Sequence, residues 1–323
     1  MRHTWTRRNF LATTAAAGVG LLAAGQLGAA PATFRRKKAL IGVPAPETWE
    51  KYRAAGFEGM EATDWQIAPD AAAKQRELAE QLGMRIHSVL RGWTDFNSPK
   101  AEQVTQDIAS VETALKACQG YGADALLLVP CRLLKEVALP KPEEFDIEFD
   151  EQTGHVTRVA AGDNSRYAAY MQAQNEAIDM SRQALDKLIP VAEKTGVVIA
   201  LENVWSNLWV LPKLFAHFTR SFQSPWIQSY FDIGNHVKYA KPEAWIEALG
   251  KTIVKLHVKD FKVDRASPQG GEFVDIRDGD VNWPSVIRAL DQIGYDGWLT
   301  IEGSGGLSMD EQSRRLDLIL AGK

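Results

Sequence analysis

Eight short apolar runs, separated by longer segments of helical period, constrain this chain most. The runs are Ala39–Val43, Gly59–Thr63, Arg85–Leu90, Ala125–Val129, Val197–Leu201, Ile227–Asp232, Ile253–Val258 and Trp298–Ile301. Each has the length and β-branched or leucine content of a strand. Between them the spacing predicts helices over Glu47–Ala55, Pro69–Leu82, Lys100–Gly120, Arg166–Lys194, Leu211–Arg220, Pro242–Leu249 and Trp283–Ile293. Strands that alternate with helices form parallel βα units. Wholly apolar strands such as Ala125–Val129 belong in a sheet covered on both faces. An open doubly wound sheet would satisfy the same pattern. The count of eight favours closure, and so does the segment after the first strand. It reads Gly42-Val43-Pro44-Ala45-Pro46, with no glycine-rich phosphate loop. The expected fold is therefore α/β: a single-domain (β/α)8 TIM barrel over residues 37–323, about the length such a barrel needs.

One insertion interrupts the pattern. Between the fourth strand and its helix, residues 138–164 contain Phe145–Phe149 and His155–Val159 around Asp150–Gly154, which reads as a β-hairpin. An insertion after a barrel strand lies on the catalytic face. It is expected to act as a lid, a pocket rim, a contact in a homo-oligomer, or a solvated decoration.

Residues 1–30 read as an export signal rather than part of the barrel. Thr6-Arg7-Arg8-Asn9-Phe10-Leu11 precedes an uncharged, alanine-rich apolar stretch, and small residues for cleavage lie near Ala29-Ala30-Pro31-Ala32. The paired arginines resemble a twin-arginine signal, so the twin-arginine export machinery is an expected partner. The mature chain is expected in the periplasm or outside the cell, with no membrane span. The net charge of −4 and the absence of a basic patch exclude nucleic acid as the main partner. The two cysteines, Cys118 and Cys131, make no disulfide framework and are expected as buried thiols.

Four strands end in an acid or an imidazole: Glu202, Asp232, His257 and Glu302. Barrel strands aim their C-terminal ends at one site, so these four converge although they lie far apart in sequence. Three carboxylates and an imidazole need a positive charge to sit together. A divalent ion supplies it. The oxygen-rich set suits Mn2+ first, with Mg2+, Co2+ or Zn2+ as alternatives. Glu61, His87, Asn235, His236, Lys259 and Trp205 are expected around the same mouth as substrate contacts. Asn203 and Asn235 can also orient the ligands. Trp93, Trp205, Trp209 and Trp283 are candidates for stacking on a sugar face or for core packing.

These segments resemble the xylose-isomerase-like barrel family of sugar isomerases and epimerases. The resemblance rests on Gly56-Phe57-Glu58-Gly59-Met60-Glu61, Leu201-Glu202-Asn203, Phe231-Asp232-Ile233-Gly234-Asn235 and Leu256-His257-Val258-Lys259-Asp260. It extends to Gly279-Asp280-Val281-Asn282-Trp283 and the stretch from Gly294 to Glu302. It implies a carbohydrate substrate and, as in the ketose 3-epimerases, metal-bound glutamates that also move protons. Carried over, Glu202 and Glu302 are the catalytic acid/base pair and Asp232 and His257 the structural ligands. Proton removal beside a carbonyl leaves an enediolate whose oxygens a metal stabilises.

Two positions depart from the epimerase pattern. Asn235 stands where those enzymes often carry His, with His236 next to it. Val263 stands where they carry Arg, with Lys262 and Arg265 nearby. The implied activity is isomerisation or epimerisation of a free sugar. Alternatives are a lyase or dehydratase acting on an oxidised sugar, polyol or 3-keto-glycoside, and a non-catalytic sugar-binding protein. A nuclease of the same superfamily would need several metals and many histidines. This chain has six, and only His87, His236 and His257 are placed near the mouth.

Overall fold

Strand alternation explains both the core and the site. In β4 (Ala125–Val129), a run buried at every residue, Leu126 and Leu128 face the surrounding helices while Ala125, Leu127 and Val129 face the barrel interior. This is the period-two pattern of a strand covered on both sides. Burying a leucine side chain contributes about 1.5–3 kcal/mol. Truncating Leu128 to alanine would therefore cost about 2–5 kcal/mol with its cavity term.

A computed structural model describes residues 35–323. The export-signal expectation for residues 1–30 lies outside the described residues. The chain runs β1 (Lys37–Gly42), α1 (Pro46–Ala54), β2 (Gly59–Ala62), α2 (Pro69–Gln81), β3 (Arg85–Trp93), α3 (Ala101–Tyr121) and then β4. After it come β5 (Phe145–Phe149), β6 (Val156–Ala160), α4 (Ala168–Thr195), β7 (Val198–Glu202), α5 (Pro212–Arg220), β8 (Ile227–Asp232) and α6 (Pro242–Leu249). The remainder is β9 (Ile253–Val258), β10 (Asp260–Val263), β11 (Gly271–Val274), α7 (Trp283–Ile293), β12 (Trp298–Ile301) and α8 (Met309–Leu320). Eight strands close in the order β1-β2-β3-β4-β7-β8-β9-β12. Every pairing is parallel, and β12 returns to β1 through Leu40 opposite Ile301. This is the expected TIM barrel.

Local chemistry sets the helix ends. Asn282 caps α7 by accepting from Ser285 N at 3.1 Å, and Gly294 ends it in the left-handed region at φ 76°. Ser308 caps α8 by accepting from Glu311 N at 3.3 Å. The sequence reading missed α8 and the β10–β11 hairpin. Both carried a signal: Ser308-x-x-Glu311 is a capping-box pattern, and the Ser, Pro and Gly residues between Val263 and Gly271 are turn formers.

The insertion forms the expected hairpin, β5 against β6, but its body is not a lid. It lies against the outer helices: Val156 N donates to Asn175 Oδ1 at 2.7 Å, and His155 Nε2 lies 2.8 Å from Asp179 Oδ1. His217 of α5 contacts Glu151 O at 2.9 Å. Between the hairpin and α5–α6 lies a groove of about 1030 Å3, lined by Ile147, Phe149, Leu214 and Ala244 among others. At the base of the insertion, Glu143 lies 3.8 Å from Arg265 in the β10–β11 turn. Cys118 and Cys131 are buried free thiols, and burial raises both. No helix among the described residues is long and apolar enough to cross a membrane.

Candidate metal centre

The alternation that builds the barrel interior also delivers the site. Ala200, Tyr230, Lys255 and Thr300 are buried members of β7, β8, β9 and β12. Two residues further along each strand come Glu202, Asp232, His257 and Glu302, on the same inward side. Asp232 pairs with His257 across β8 and β9, and Thr300 pairs with His257 across β12. Glu302 follows two residues beyond Thr300, yet the four prospective ligand atoms converge, all within 4.8 Å of one another. His257 Nδ1 lies 3.0 Å from Glu302 Oε2, 3.7 Å from Glu202 Oε1 and 3.9 Å from Asp232 Oδ2.

Buried donors fix this geometry. Asn203 locks β7 to β8: its Nδ2 donates to Asp232 O at 3.0 Å and its Oδ1 accepts from Asp232 N at 2.8 Å. Asp232 Oδ1 accepts from Gly234 N and Asn235 N at 2.8 and 2.6 Å. Residue 234 must be glycine, because a Cβ there would fall 2.7 Å from Lys259 O. Asn235 then spans the site. Its Nδ2 donates to Glu202 Oε1 at 3.1 Å and its Oδ1 accepts from Lys259 Nζ at 3.3 Å.

The donor set suits a cation. Asp232 Oδ2 and His257 Nδ1 are buried with no hydrogen-bond partner, Glu302 Oε2 beside them has the Lys259 ion pair, and all three belong to the same cluster. Unsatisfied buried polar atoms are costly unless something binds them. Three oxygens and one nitrogen match Mn2+, Mg2+, Co2+ or Zn2+ without separating them.

Electrostatics show the same demand for positive charge. Burial, with Glu302 and Glu202 beside it, pushes Asp232 well above the ordinary carboxylate range. Burial also raises Glu202, although His257 pulls it down. Burial works against a charged His257, but Tyr230, Glu61 and Glu302 outweigh it and hold the imidazole well above its usual value. Glu302 goes the other way. Burial raises it, yet His257 and Lys259 hold it well below the ordinary value. Its side chain is 30% exposed, the most open of the four, and Lys259 Nζ lies 3.2 Å from its Oε2.

The residues expected around the mouth divide. Lys259 and Trp205 flank it. Trp205 donates its indole N–H to Asn235 O and packs against Phe273 of β11 at 4.8 Å between ring centroids. Lys259 Nζ lies 4.6 Å from the Phe273 centroid. Phe273, which the sequence reading did not single out, thus forms part of the wall. Three expected substrate contacts are corrected. Glu61 is fully buried behind His257, and its Oε2 meets His257 Nε2 at 2.6 Å. His87 is fully buried and stacked on Trp298 at 4.6 Å. His236 is buried against Trp245 and Tyr239, with Nε2 at 3.0 Å from Val204 O. Burial lowers its pKa to about 3, so it is neutral. Inward or loop position was legible for these three, but depth was not. Trp209 stacks on Phe218 in the core, and Trp93 is exposed.

Asp260 organises the neighbouring loop rather than the ion. It is fully buried and accepts from Phe261 N, Arg277 N, Val281 N and Trp283 Nε1 at 2.9, 2.8, 3.2 and 3.2 Å. One carboxylate thereby ties the strand that carries Phe261 to the Gly279–Trp283 segment.

Comparison with known proteins agrees with this architecture. The model of the xylose isomerase-like TIM barrel matches residues 49–317. The L-ribulose-5-phosphate 3-epimerase UlaE of Escherichia coli is 28% identical over 158 residues, 48% of this chain and 52% of that protein. The chain spans about half the length of the curated relatives it matches. Among solved structures, the 3-keto-D-glucoside 4-epimerase YcjR of E. coli aligns with a TM-score of 0.64 at 13% identity, covering 89% of this chain and 100% of that one. The IolI protein with a bound zinc atom aligns at 0.63 and 15% identity, covering 88% and 96%. At such identities these structures speak for the fold alone. The family match spans most of the sequence: the chain belongs to the xylose isomerase-like TIM barrel family.

Proposed function

We propose that this protein is a divalent-metal-dependent sugar isomerase or epimerase in which Glu202 and Glu302 move the proton. One observation carries the reading: three carboxylates and an imidazole converge at the C-terminal mouth of the barrel, with Asp232 Oδ2 and His257 Nδ1 left without a hydrogen-bond partner. Asp232 and His257 hold the ion, and Glu202 and Glu302 complete the set. When bound, the ion stabilises negative charge on the substrate's carbonyl and hydroxyl oxygens. Glu302, kept ionised by His257 and Lys259, is suited to take a proton from the carbon beside the carbonyl. Glu202, burial-raised and held by Asn235, is suited to deliver its own proton to the opposite face. Trp205 and Phe273 supply an aromatic wall against which a sugar face can lie. The epimerase name of UlaE supports a carbohydrate substrate.

The test is NMR in D2O with the metal-loaded protein and a panel of free ketoses, aldoses and 3-keto-glycosides. Deuterium at one carbon with an intact skeleton supports the proposal. Loss of water or an aglycone would move the assignment to a lyase. No exchange at any substrate carbon would remove both. Residues 1–30 are proposed to export the chain by the twin-arginine route. Cell fractionation tests this: replacing Arg7 and Arg8 with lysine should strand the protein in the cytoplasm, and unchanged distribution would refute it.

A further inference from the structure

We propose that Glu61 is a positioning residue for the metal, holding the His257 ring from beneath through a buried chain of hydrogen bonds that runs across the barrel interior. The inference rests on the metal reading of the site and adds a residue outside the four ligands.

The geometry is specific. Glu61 Oε2 meets His257 Nε2 at 2.6 Å, and both side chains are buried. The opposite ring atom, Nδ1, faces the three ligand carboxylates and has no hydrogen-bond partner. Glu61 Oε1 accepts from Ser88 Oγ at 3.1 Å. Ser88 Oγ lies 3.0 Å from His87 Nδ1, and His87 Nε2 lies 3.0 Å from Thr300 Oγ1. Trp298 stacks on the His87 ring at an interplanar angle of 10°.

These contacts admit one consistent direction of donation. A carboxylate only accepts. Ser88 must therefore give its single proton to Glu61, so its oxygen accepts from His87 Nδ1–H. A neutral His87 then has Nε2 free to accept from Thr300 O–H, and burial favours that neutral form. On the other side, His257 must present Nε2–H to Glu61. Nδ1 is then the ring atom turned to the ligand cluster, and its proton is the one that leaves when an ion binds. Thr300, His87, Ser88 and Glu61 thus fix the ring in its metal-binding orientation before any ion arrives. His257 is the only ionic partner of Glu61 among the described residues, so an ion at Nδ1 offsets the buried carboxylate through the ring. Partners of this kind change metal affinity by about 10–100-fold.

The test uses the full chain without any sugar, so it does not depend on the proposed reaction. Calorimetric titration of Mn2+ and Co2+ into the native protein and the Glu61→Ala, Glu61→Gln and Ser88→Ala variants gives four affinities for each ion. Glu61→Ala should bind about 10–100-fold more weakly. Glu61→Gln, whose amide oxygen can still accept, should fall between it and the native chain. Ser88→Ala should weaken binding less, and it serves if the Glu61 variants do not fold. NMR of the Co2+-loaded native protein should show a paramagnetically shifted ring N–H proton that exchanges slowly. That proton should exchange rapidly in Glu61→Ala. Native-like affinity and a slow N–H in folded Glu61→Ala would overturn the proposal and leave the metal reading standing. No binding by the native chain would overturn both.

Discussion

Replacing Asp260 with asparagine alters a few atoms, yet it should be among the most damaging changes near the site. All four groups facing the carboxylate are N–H donors. An asparagine oriented to keep its oxygen at Oδ1 still accepts from Phe261 N and Val281 N. Its NH2 group then meets Arg277 N and Trp283 Nε1, donor against donor. The flipped amide only exchanges which pair is lost. Hydrogen bonds to a charged group contribute about 1.5–3 kcal/mol each, so losing two costs about 3–6 kcal/mol. That is a large part of the roughly 5–15 kcal/mol that holds a domain together. At about 2 °C per kcal/mol for a chain of this size, Tm should fall by ~6–12 °C. The assays are a thermal melt and backbone hydrogen exchange. The melt reads the global cost, and exchange at Arg277 and Val281 reads a local opening that spares the rest. A variant within about 1 kcal/mol of native, with unchanged exchange at those two amides, would refute the reasoning.

Further expectations follow from the same contacts. Gly279→Ala places a Cβ 2.2 Å from Asp260 Oδ1, and the resulting strain should cost about 1–3 kcal/mol in the same melt. Glu202→Gln and Glu302→Gln should each lower turnover by about 10²–10⁴-fold in single-turnover kinetics, and unchanged rates in both would remove them from the mechanism. Metal binding should stabilise the chain by about 2.7 kcal/mol when free ion is 100 times Kd, which a thermal shift with and without chelator measures. Folded-state pKa values are raised for His257, Asp232 and Glu202, so their contribution to the metal-free protein is present at low pH and lost as pH rises through those values. Glu302, held low, opposes this only at acidic pH. The Tm difference between loaded and metal-free protein should therefore widen from pH 5.5 to pH 8, with protons released on binding. A gap that narrows would contradict the sign.

The barrel and its four converging residues were legible because strand parity and strand ends are local properties. Ala125–Val129 declares a strand buried on both faces, and Glu202, Asp232, His257 and Glu302 each close an apolar run. What parity does not give is depth along the barrel axis. Glu61 pairs with Ile41 and Ser88, with a register shift between Met60 and Glu61, and this sets it below the mouth rather than in it. His87 is inward for the same reason and buried for the same reason. The role of Asp260 was hidden because three of its four partners lie 17 or more residues away, two in a segment that reads as loop and the third at the start of α7. The place of the β5–β6 hairpin against α4 and α5 depends on contacts such as Val156 with Asn175, which no periodicity announces.

Glu202, Asp232, His257 and Glu302 are proposed to hold one divalent ion together. Equilibrium dialysis with elemental analysis tests it most directly, on the native chain and on Asp232→Ala and His257→Ala. The native chain should bind about one ion and each variant should lose nearly all of it, because three ligands without the fourth leave a poorly matched set. Native stoichiometry retained in both variants, or no ion bound by the native chain, would contradict it.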